Sequence, residues 1–230
     1  MSKVLVLRTC DQKMQGYGGF QWPESGPVEA PDWKDNGECG NGLHGLLWGE
    51  GSSRLLNWEG KWMVVEVDET DVRPLTDNGD IKCKFPKGVV VFVGDREGAT
   101  GYIHARRPGT IVGLVAIGGD RSTLTGGNCS KLTGGYDSKL TGGNYSKLTG
   151  GNCSKLTGGH YSKLTGGYGS TLTGGYGSTL TGGDCSTLTG GYGSTLIFSG
   201  ETLVTVAMVG KEGIEPNVPY VVRDGKVVRA

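Results

Sequence analysis

The chain has 230 residues, 45 of them glycine, and its 23 Lys and Arg balance 23 Asp and Glu. Zero net charge argues against a general nucleic-acid binder and against a protein held on a membrane by charge, and no run approaches the ~18 consecutive apolar residues of a membrane-crossing helix. The uneven spread of glycine divides the chain into residues 1–112, a glycine-rich block at 113–199 and residues 200–230.

The first ten residues, MSKVLVLRTC, lack the apolar stretch of a secretory leader, which predicts a protein kept in the cytoplasm. Residues 1–112 read as a small α+β domain holding all five tryptophans. Strands are predicted at 3–8, 62–67 and 89–93, the last a continuous apolar run expected of a central, buried strand. Residues 96–105 read as a short helix or turn, and 15–60, rich in Gly, Pro and Trp, as long loops.

The six cysteines, Cys10, Cys39, Cys83, Cys129, Cys153 and Cys185, form no CxxC pair and have no histidine at zinc-ligand spacing, so reduced thiols and no metal are expected. No P-loop, nucleophile elbow or HExxH motif occurs, and no cofactor is predicted. One catalytic candidate stands in the first part: His44, within Gly42-Leu43-His44-Gly45. Its alternative is a structural histidine. His104 with Arg106 and Arg107 reads either as an anion site or as a solvated turn.

From residue 114 the chain repeats every eight residues as S-[TK]-L-T-G-G-x-x. Leucine keeps the beat at Leu124, Leu132, Leu140, Leu148, Leu156, Leu164, Leu172, Leu180, Leu188 and Leu196, with serine two residues earlier. Within S-[TK]-L-T the side chains alternate, so Ser and Leu share one face and Lys or Thr the other. A glycine pair in each octad costs a helix about 2 kcal/mol, glycine is not every third residue as in collagen, and a disordered tract has no reason to hold leucine in phase. The sequence therefore predicts a β-solenoid of about 16-residue coils, two octads per coil, with leucines inside and the glycine pairs supplying positive-φ corners.

With that period, Lys131, Lys147 and Lys163 stack on one face and Lys139 and Lys155 on the other. These rows serve solubility or dock an acidic partner protein. Tyr136, Tyr168, Tyr176 and Tyr192, with Tyr145 and Tyr161 one place later, fall at corners and are the candidate contacts of a homo-oligomer, edge to edge or end to end. Residues 203–209 form an apolar run, and Tyr220-Val221-Val222-Arg223, Asp224-Gly225 and Lys226-Val227-Val228 carry a hairpin signal. Residues 200–230 are thus predicted to be a β-hairpin cap on the solenoid.

The octads resemble those of bacterial ice nucleation proteins, carried by Gly175-Tyr176-Gly177-Ser178-Thr179-Leu180-Thr181 and Gly191-Tyr192-Gly193-Ser194-Thr195. The resemblance implies paired sixteen-residue coils, water-ordering Thr-x-Thr rows and tyrosines that pair coils. This sequence departs from the pattern: Thr-x-Thr occurs only at Thr123/Thr125, Thr171/Thr173, Thr179/Thr181 and Thr187/Thr189, five other octads carrying Lys-x-Thr. The whole layout also resembles a set of bacterial and bacteriophage proteins through Gly42-Leu43-His44 and the segment from Tyr220 to Lys226, which extends the cytoplasmic expectation to a host cell's cytoplasm. The Gly42–Gly45 segment resembles, in addition, a histidine-bearing strand of ADP-ribosyltransferase-like folds. That resemblance implies a nicotinamide nucleotide held by His44 and Tyr102, with Glu97 or Glu66 assisting transfer.

Three functions follow as expectations. The first is a non-enzymatic repeat scaffold that self-associates or binds a protein, the second a nucleotide-using enzyme around His44, and the third a weak ice-binding protein.

Overall fold

The computed structural model describes residues 2–199, 220–223 and 226–229. Seven strands and one helix precede the repeats: β1 (Lys3–Cys10), β2 (Gly26–Glu29), β3 (Leu43–Leu47), β4 (Lys61–Asp68), β5 (Arg73–Asp77), β6 (Asp80–Phe85), β7 (Lys87–Gly94) and α1 (Arg96–His104). They make one antiparallel sheet in the order β2-β7-β4-β1-β3-β6-β5.

The centre of this sheet is buried on both faces because the middles of β1 (Val4–Leu7) and β4 (Trp62–Val65) are apolar at successive positions. Val4, Val6, Met63, Val65 and Val67 pack against Met14, Trp22, Val28 and Ala30. Leu5, Leu7, Trp62 and Val64 pack against Ala99 and Ile103 of α1 and against Ile111, Val112 and Leu114. α1 begins where the Asp95 carboxylate accepts the Gly98 N–H at 2.8 Å, a cap worth about 1 kcal/mol.

Two expectations for this part need correction, and one element was not foreseen. Residues 15–60 are not loop throughout, since they contribute β2 and β3. The run at 89–93 is not a central buried strand: β7 is second from the sheet edge and only Val90 in it is buried, because little covers its outer side. The β5–β6 hairpin was not predicted, its strands being mostly polar. Its signal was nevertheless present, since Asn78 and Gly79 take φ 50° and 80° in the two-residue turn that links Asp77 to Asp80.

The repeats form β8 (Val115–Ile117), β9 (Thr123–Thr125), β10 (Lys131–Thr133), β11 (Lys139–Thr141), β12 (Lys147–Thr149) and β13 (Lys155–Thr157). They continue as β14 (Lys163–Gly166), β15 (Thr171–Gly174), β16 (Thr179–Gly182), β17 (Thr187–Gly190) and β18 (Thr195–Phe198). The even-numbered strands stack as a six-stranded parallel sheet and the odd-numbered ones as a five-stranded parallel sheet. Each residue meets its counterpart two octads away, as Leu132 meets Leu148 and Leu140 meets Leu156. The fold is a mainly β, two-sided solenoid with sixteen residues per coil, preceded by a small sheet-and-helix part.

Leu132, Leu140, Leu148, Leu156, Leu164, Leu172 and Leu180 are wholly buried between the two sheets, each contributing on the order of 2 kcal/mol. Leu124, Leu188 and Leu196 pack on the column but stay half-buried, because among the described residues their strands have a stacked neighbour on one side only. The serines line the same interior. The Ser154 hydroxyl donates to the Gly135 carbonyl at 3.2 Å, and Ser146, Ser162, Ser170 and Ser178 repeat the bond one coil apart.

The glycine pairs do not supply the positive-φ corners. That conformation falls on the residue just before serine, among them Cys129, Asp137, Tyr145, Cys153 and Tyr161. The glycines are needed for close approach instead. A Cβ on Gly142 would lie 2.7 Å from the Ser146 Cβ, and one on Gly143 would lie 2.8 Å from the Asn128 backbone nitrogen in the coil below.

The sheet-and-helix part and the solenoid share one core, in which Leu5, Leu7, Ile103, Ile111 and Leu114 run into the leucine column. The join is hydrogen-bonded as well. Ile111 and Leu114 carbonyls accept from Gly127 and Lys131 at 2.9 and 2.7 Å, and Val115 N–H donates to the Thr100 hydroxyl of α1 at 3.3 Å. Residues 111–114 thereby supply partners to the first full coil, which an exposed end would lack. At the other terminus, β19 (Tyr220–Arg223) pairs with β20 (Lys226–Arg229) as an antiparallel hairpin. The Asp224-Gly225 turn, the 203–209 run and the predicted closing of the solenoid lie outside the described residues.

Candidate functional site

Each coil presents two outward strands and two corners, and the octad's variable places decide what they carry. On the six-stranded face Lys131, Lys147 and Lys163 stand in register, followed by Thr179 and Thr195. On the five-stranded face Thr123 is followed by Lys139 and Lys155, then Thr171 and Thr187. All five lysines are exposed, and among the described residues none has an acidic partner within ion-pair distance. Stacked like charges about 4.8 Å apart repel by roughly 1 kcal/mol in water. The rod therefore has a basic half toward the sheet and a threonine half beyond it.

The tyrosines do not share one edge. Tyr136 and Tyr168 lie on one corner, where their N–H groups donate to Asp120 and Asn152 side chains at 2.8 and 3.0 Å. Tyr176 and Tyr192 lie on the opposite corner together with Tyr145 and Tyr161. There the four rings form a ladder, Tyr145 stacked on Tyr161 at 5.3 Å, Tyr161 edge-on to Tyr176 at 5.3 Å and Tyr176 stacked on Tyr192 at 5.8 Å. The one-place stagger is what allows the ladder to continue. Tyr145 and Tyr161 occupy the positive-φ place, and where the tyrosine moves one residue earlier, Gly177 and Gly193 take that place; the Tyr161 ring then lies where a Gly177 side chain would be. All four rings remain 43–76% exposed, a large aromatic surface held rigid by the coil stack.

A second side-chain series runs inside that corner and was not foreseen. Asn128 accepts the Asn144 N–H at 2.9 Å, Asn144 accepts the His160 N–H at 2.8 Å, and His160 Nδ1 accepts the Tyr176 N–H at 2.9 Å. These side chains satisfy corner N–H groups of the next coil. Their signal in the sequence was an amide, acid or histidine at the first variable place wherever tyrosine was absent.

In the N-terminal sheet His44 is largely enclosed, and burial first, then the nearby Arg8 charge, pushes its imidazole down to about 4. It lies opposite Lys84 on β6. Glu66 lies toward the other end of β1, opposite Leu5, whereas His44 is two residues past Leu46, the partner of Leu7. Tyr102 is covered by the Arg106 guanidinium, 3.5 Å above its ring, and by Phe92. Glu97 sits in the first turn of α1. Two surface depressions of about 440 Å3 each occur, one lined in part by Gln12, Lys61 and Asp95 and the other by Lys3, Glu66 and Lys87; neither includes His44 or Tyr102. Of the basic cluster, Arg106 is spent on Tyr102 and Arg107 stacks on Trp48 at 5.2 Å, so it does not gather around His104.

All six cysteines are free thiols, with Cys10 and Cys83 buried. Among the described residues no cluster of His, Cys, Asp and Glu is placed to hold a metal, and no helix is long and apolar enough to cross a membrane.

The repeat block is similar to bacterial ice nucleation proteins. An ice nucleation protein of Xanthomonas campestris pv. translucens is 43% identical over 110 residues, 47% of this chain and 7% of that protein. One from Pseudomonas fluorescens is 47% identical over 103 residues, 44% of this chain and 8% of that protein, and InaU of Pantoea ananas is 41% identical over 107 residues, 46% and 10%. The chain thus spans a tenth or less of the length of these curated relatives. Residues 4–100 match a domain of unknown function (DUF7666). No solved structure matches the chain.

The expected cytoplasmic location is overturned by these matches. The matches to proteins named as ice nucleation proteins conflict with a cytoplasmic placement. Lys3–Cys10, most of the segment on which that expectation rested, form β1 of the sheet.

Proposed function

We propose that this repeat scaffold is a non-enzymatic interaction protein that self-associates along the corner bearing Tyr145, Tyr161, Tyr176 and Tyr192. The observation that carries the reading is the ladder itself: four exposed rings, in mutual contact over successive coils, on a rigid edge. Its rungs recur at the coil spacing, so a second copy laid alongside meets the same pattern and gains aromatic contact at every coil. Amphipathic rings already ordered by their neighbours lose little further entropy on docking. Sedimentation equilibrium of the wild type and of a Tyr161→Ser/Tyr176→Ser double variant tests it. Concentration-dependent dimers that the double variant loses are expected, and a strict monomer at high concentration overturns it.

A second reading, weak ice binding, is favoured by the paired Thr-x-Thr rungs Thr171/Thr173 and Thr187/Thr189 on the five-stranded face and by the named activity of the relatives. Lys139 and Lys155 interrupt that face, which limits the ordered area to the far half of the rod. Measurable thermal hysteresis or ice shaping supports this reading, and their absence removes it. In either case the lysine rows are available to an acidic protein partner.

A further inference from the structure

Two of the exposed cysteines fall in one row. Along the corner that carries Tyr136 and Tyr168, the place before serine is held in successive coils by Arg121, Asp137, Cys153, Gly169 and Cys185. Backbone bonds stack these places as rungs of one edge. Asp137 N–H donates to the Asn152 carbonyl at 2.9 Å, Cys153 N–H to the Tyr168 carbonyl at 2.7 Å and Gly169 N–H to the Asp184 carbonyl at 2.8 Å. Cys153 and Cys185 are free and exposed, with φ 59° and 58°. The position asks for neither. Asparagine, aspartate and glycine are the residues that tolerate a positive φ, as Asp137 and Gly169 do here, and a free cysteine is ordinarily among the most buried of side chains.

The two thiols cannot reach each other within one chain. They lie two coils apart, about 9.6 Å along the rod, whereas a disulfide needs Cα atoms within about 7 Å. The ground between them is open: a Cβ on Gly169 would meet nothing within 4 Å except the Cys153 sulfur, at 3.7 Å. Cys153 lies beside the Tyr136 hydroxyl and Cys185 beside the Tyr168 hydroxyl, and both rings are half-exposed. Such an edge is complementary to its own reversal. A second copy laid antiparallel, with a two-fold axis at Gly169, brings Cys153 of each copy to Cys185 of the other, the reciprocity that a symmetric interface imposes on every contact. A parallel copy would set Asp137 against Asp137, like charge against like.

We infer that this corner joins two copies of the chain, antiparallel, through a reciprocal pair of Cys153–Cys185 disulfides. The oxidant is a small-molecule disulfide of the glutathione kind. One cysteine attacks it and releases one small thiol, and the other copy's cysteine attacks the mixed disulfide and releases the second. Each bridge thus turns two protein thiols and one oxidant disulfide into one protein disulfide and two small thiols, which carry off both protons. The ladder of Tyr145, Tyr161, Tyr176 and Tyr192 lies on the opposite corner, so this joint does not depend on the aromatic contact proposed above.

The test treats the full chain with oxidised glutathione and separates the products by non-reducing electrophoresis. Wild type is expected to give a dimer that a reductant dissolves, with a Cys153–Cys185 peptide pair found by mass spectrometry. Cys153→Ser and Cys185→Ser should each lose the dimer when alone, because either homodimer lacks one member of both pairs. An equimolar mixture of the two variants should regain it. Cys39→Ser, which removes the third exposed thiol, should leave the yield unchanged. So should Tyr161→Ser/Tyr176→Ser, which separates this joint from the aromatic corner. A dimer formed by either single cysteine variant alone, a mixture without dimer, a wild type that stays monomeric, or an equal yield in denaturant overturns the inference.

Discussion

The N-terminal sheet and the solenoid are both β structures, but they reach their pairings by different routes. In the sheet, β1 finds partners some forty and sixty residues along the chain, in β3 and β4, and neighbouring strands share no sequence. In the solenoid strands pair with those sixteen residues on, leucine on leucine from β9 to β18 and lysine on lysine where both octads carry one. A contact in the first region is therefore individual, whereas one in the second is repeated in each coil and depends on its neighbours on both sides. The two regions should respond differently to the same class of substitution.

The largest effect is expected at the middle of the column. Leu148→Ala leaves a cavity between coils packed above and below and should cost about 3–5 kcal/mol, whereas Leu196→Ala, in a half-buried end coil, should cost about 1–2 kcal/mol. Chemical denaturation followed by circular dichroism measures both. Equal losses would mean that the coils do not act as stacked neighbours.

Next comes close approach. Gly143→Ala drives a methyl into the backbone of the coil below and should destabilise by about 2–3 kcal/mol. The same substitution in the helix of the sheet region has the opposite sign. A Cβ on Gly101 meets nothing within 4 Å, so Gly101→Ala should stabilise by about 0.5–1 kcal/mol through helix propensity, the smallest of these effects.

Between the two lies a pH effect confined to the sheet. His44 titrates near 4 in the folded chain, mainly because it is buried, against 6.5 when free. Between these values the unfolded chain takes up a proton that the folded one refuses, so stability is lost as the pH falls from about 6.5 to about 4. His44→Gln should flatten the thermal midpoint over that window relative to wild type. A wild-type midpoint flat over the same window would contradict the enclosure of His44.

How much was legible in the sequence follows the same division. The octad gave the coil length, the inward leucines and the lysine rows, because in a stacked coil the sequence period is the contact register. It did not reveal that glycine serves close approach. For Gly143 the conflict arises with Asn128 in the coil below and for Gly142 with Ser146 across its own corner, approaches that only the folded coil creates. The tyrosines were visible, but the chain order that suggested Tyr136, Tyr168, Tyr176 and Tyr192 as one set divides them between two corners, and the ladder instead enlists Tyr145 and Tyr161.

In the sheet, local pattern found β1, β4, β7 and α1, and Asn78-Gly79 could have revealed β5 and β6. Nothing local could give the strand order, since antiparallel partners with unrelated sequences are chosen by which faces they bury together. The packing of Arg8 on Trp22 lies beyond sequence reading for the same cause, because the two meet only after the segment carrying Trp22 folds onto β1.

By itself, then, the amino-acid order determined a sixteen-residue winding with an aliphatic interior, since an eight-residue beat of alternating side chains has no other way to bury leucine at every turn. Tertiary structure decided which corner each aromatic ring joins and how the sheet is ordered. Those outcomes depend on contacts between segments that carry no common period, and their energies exist only once the segments are packed.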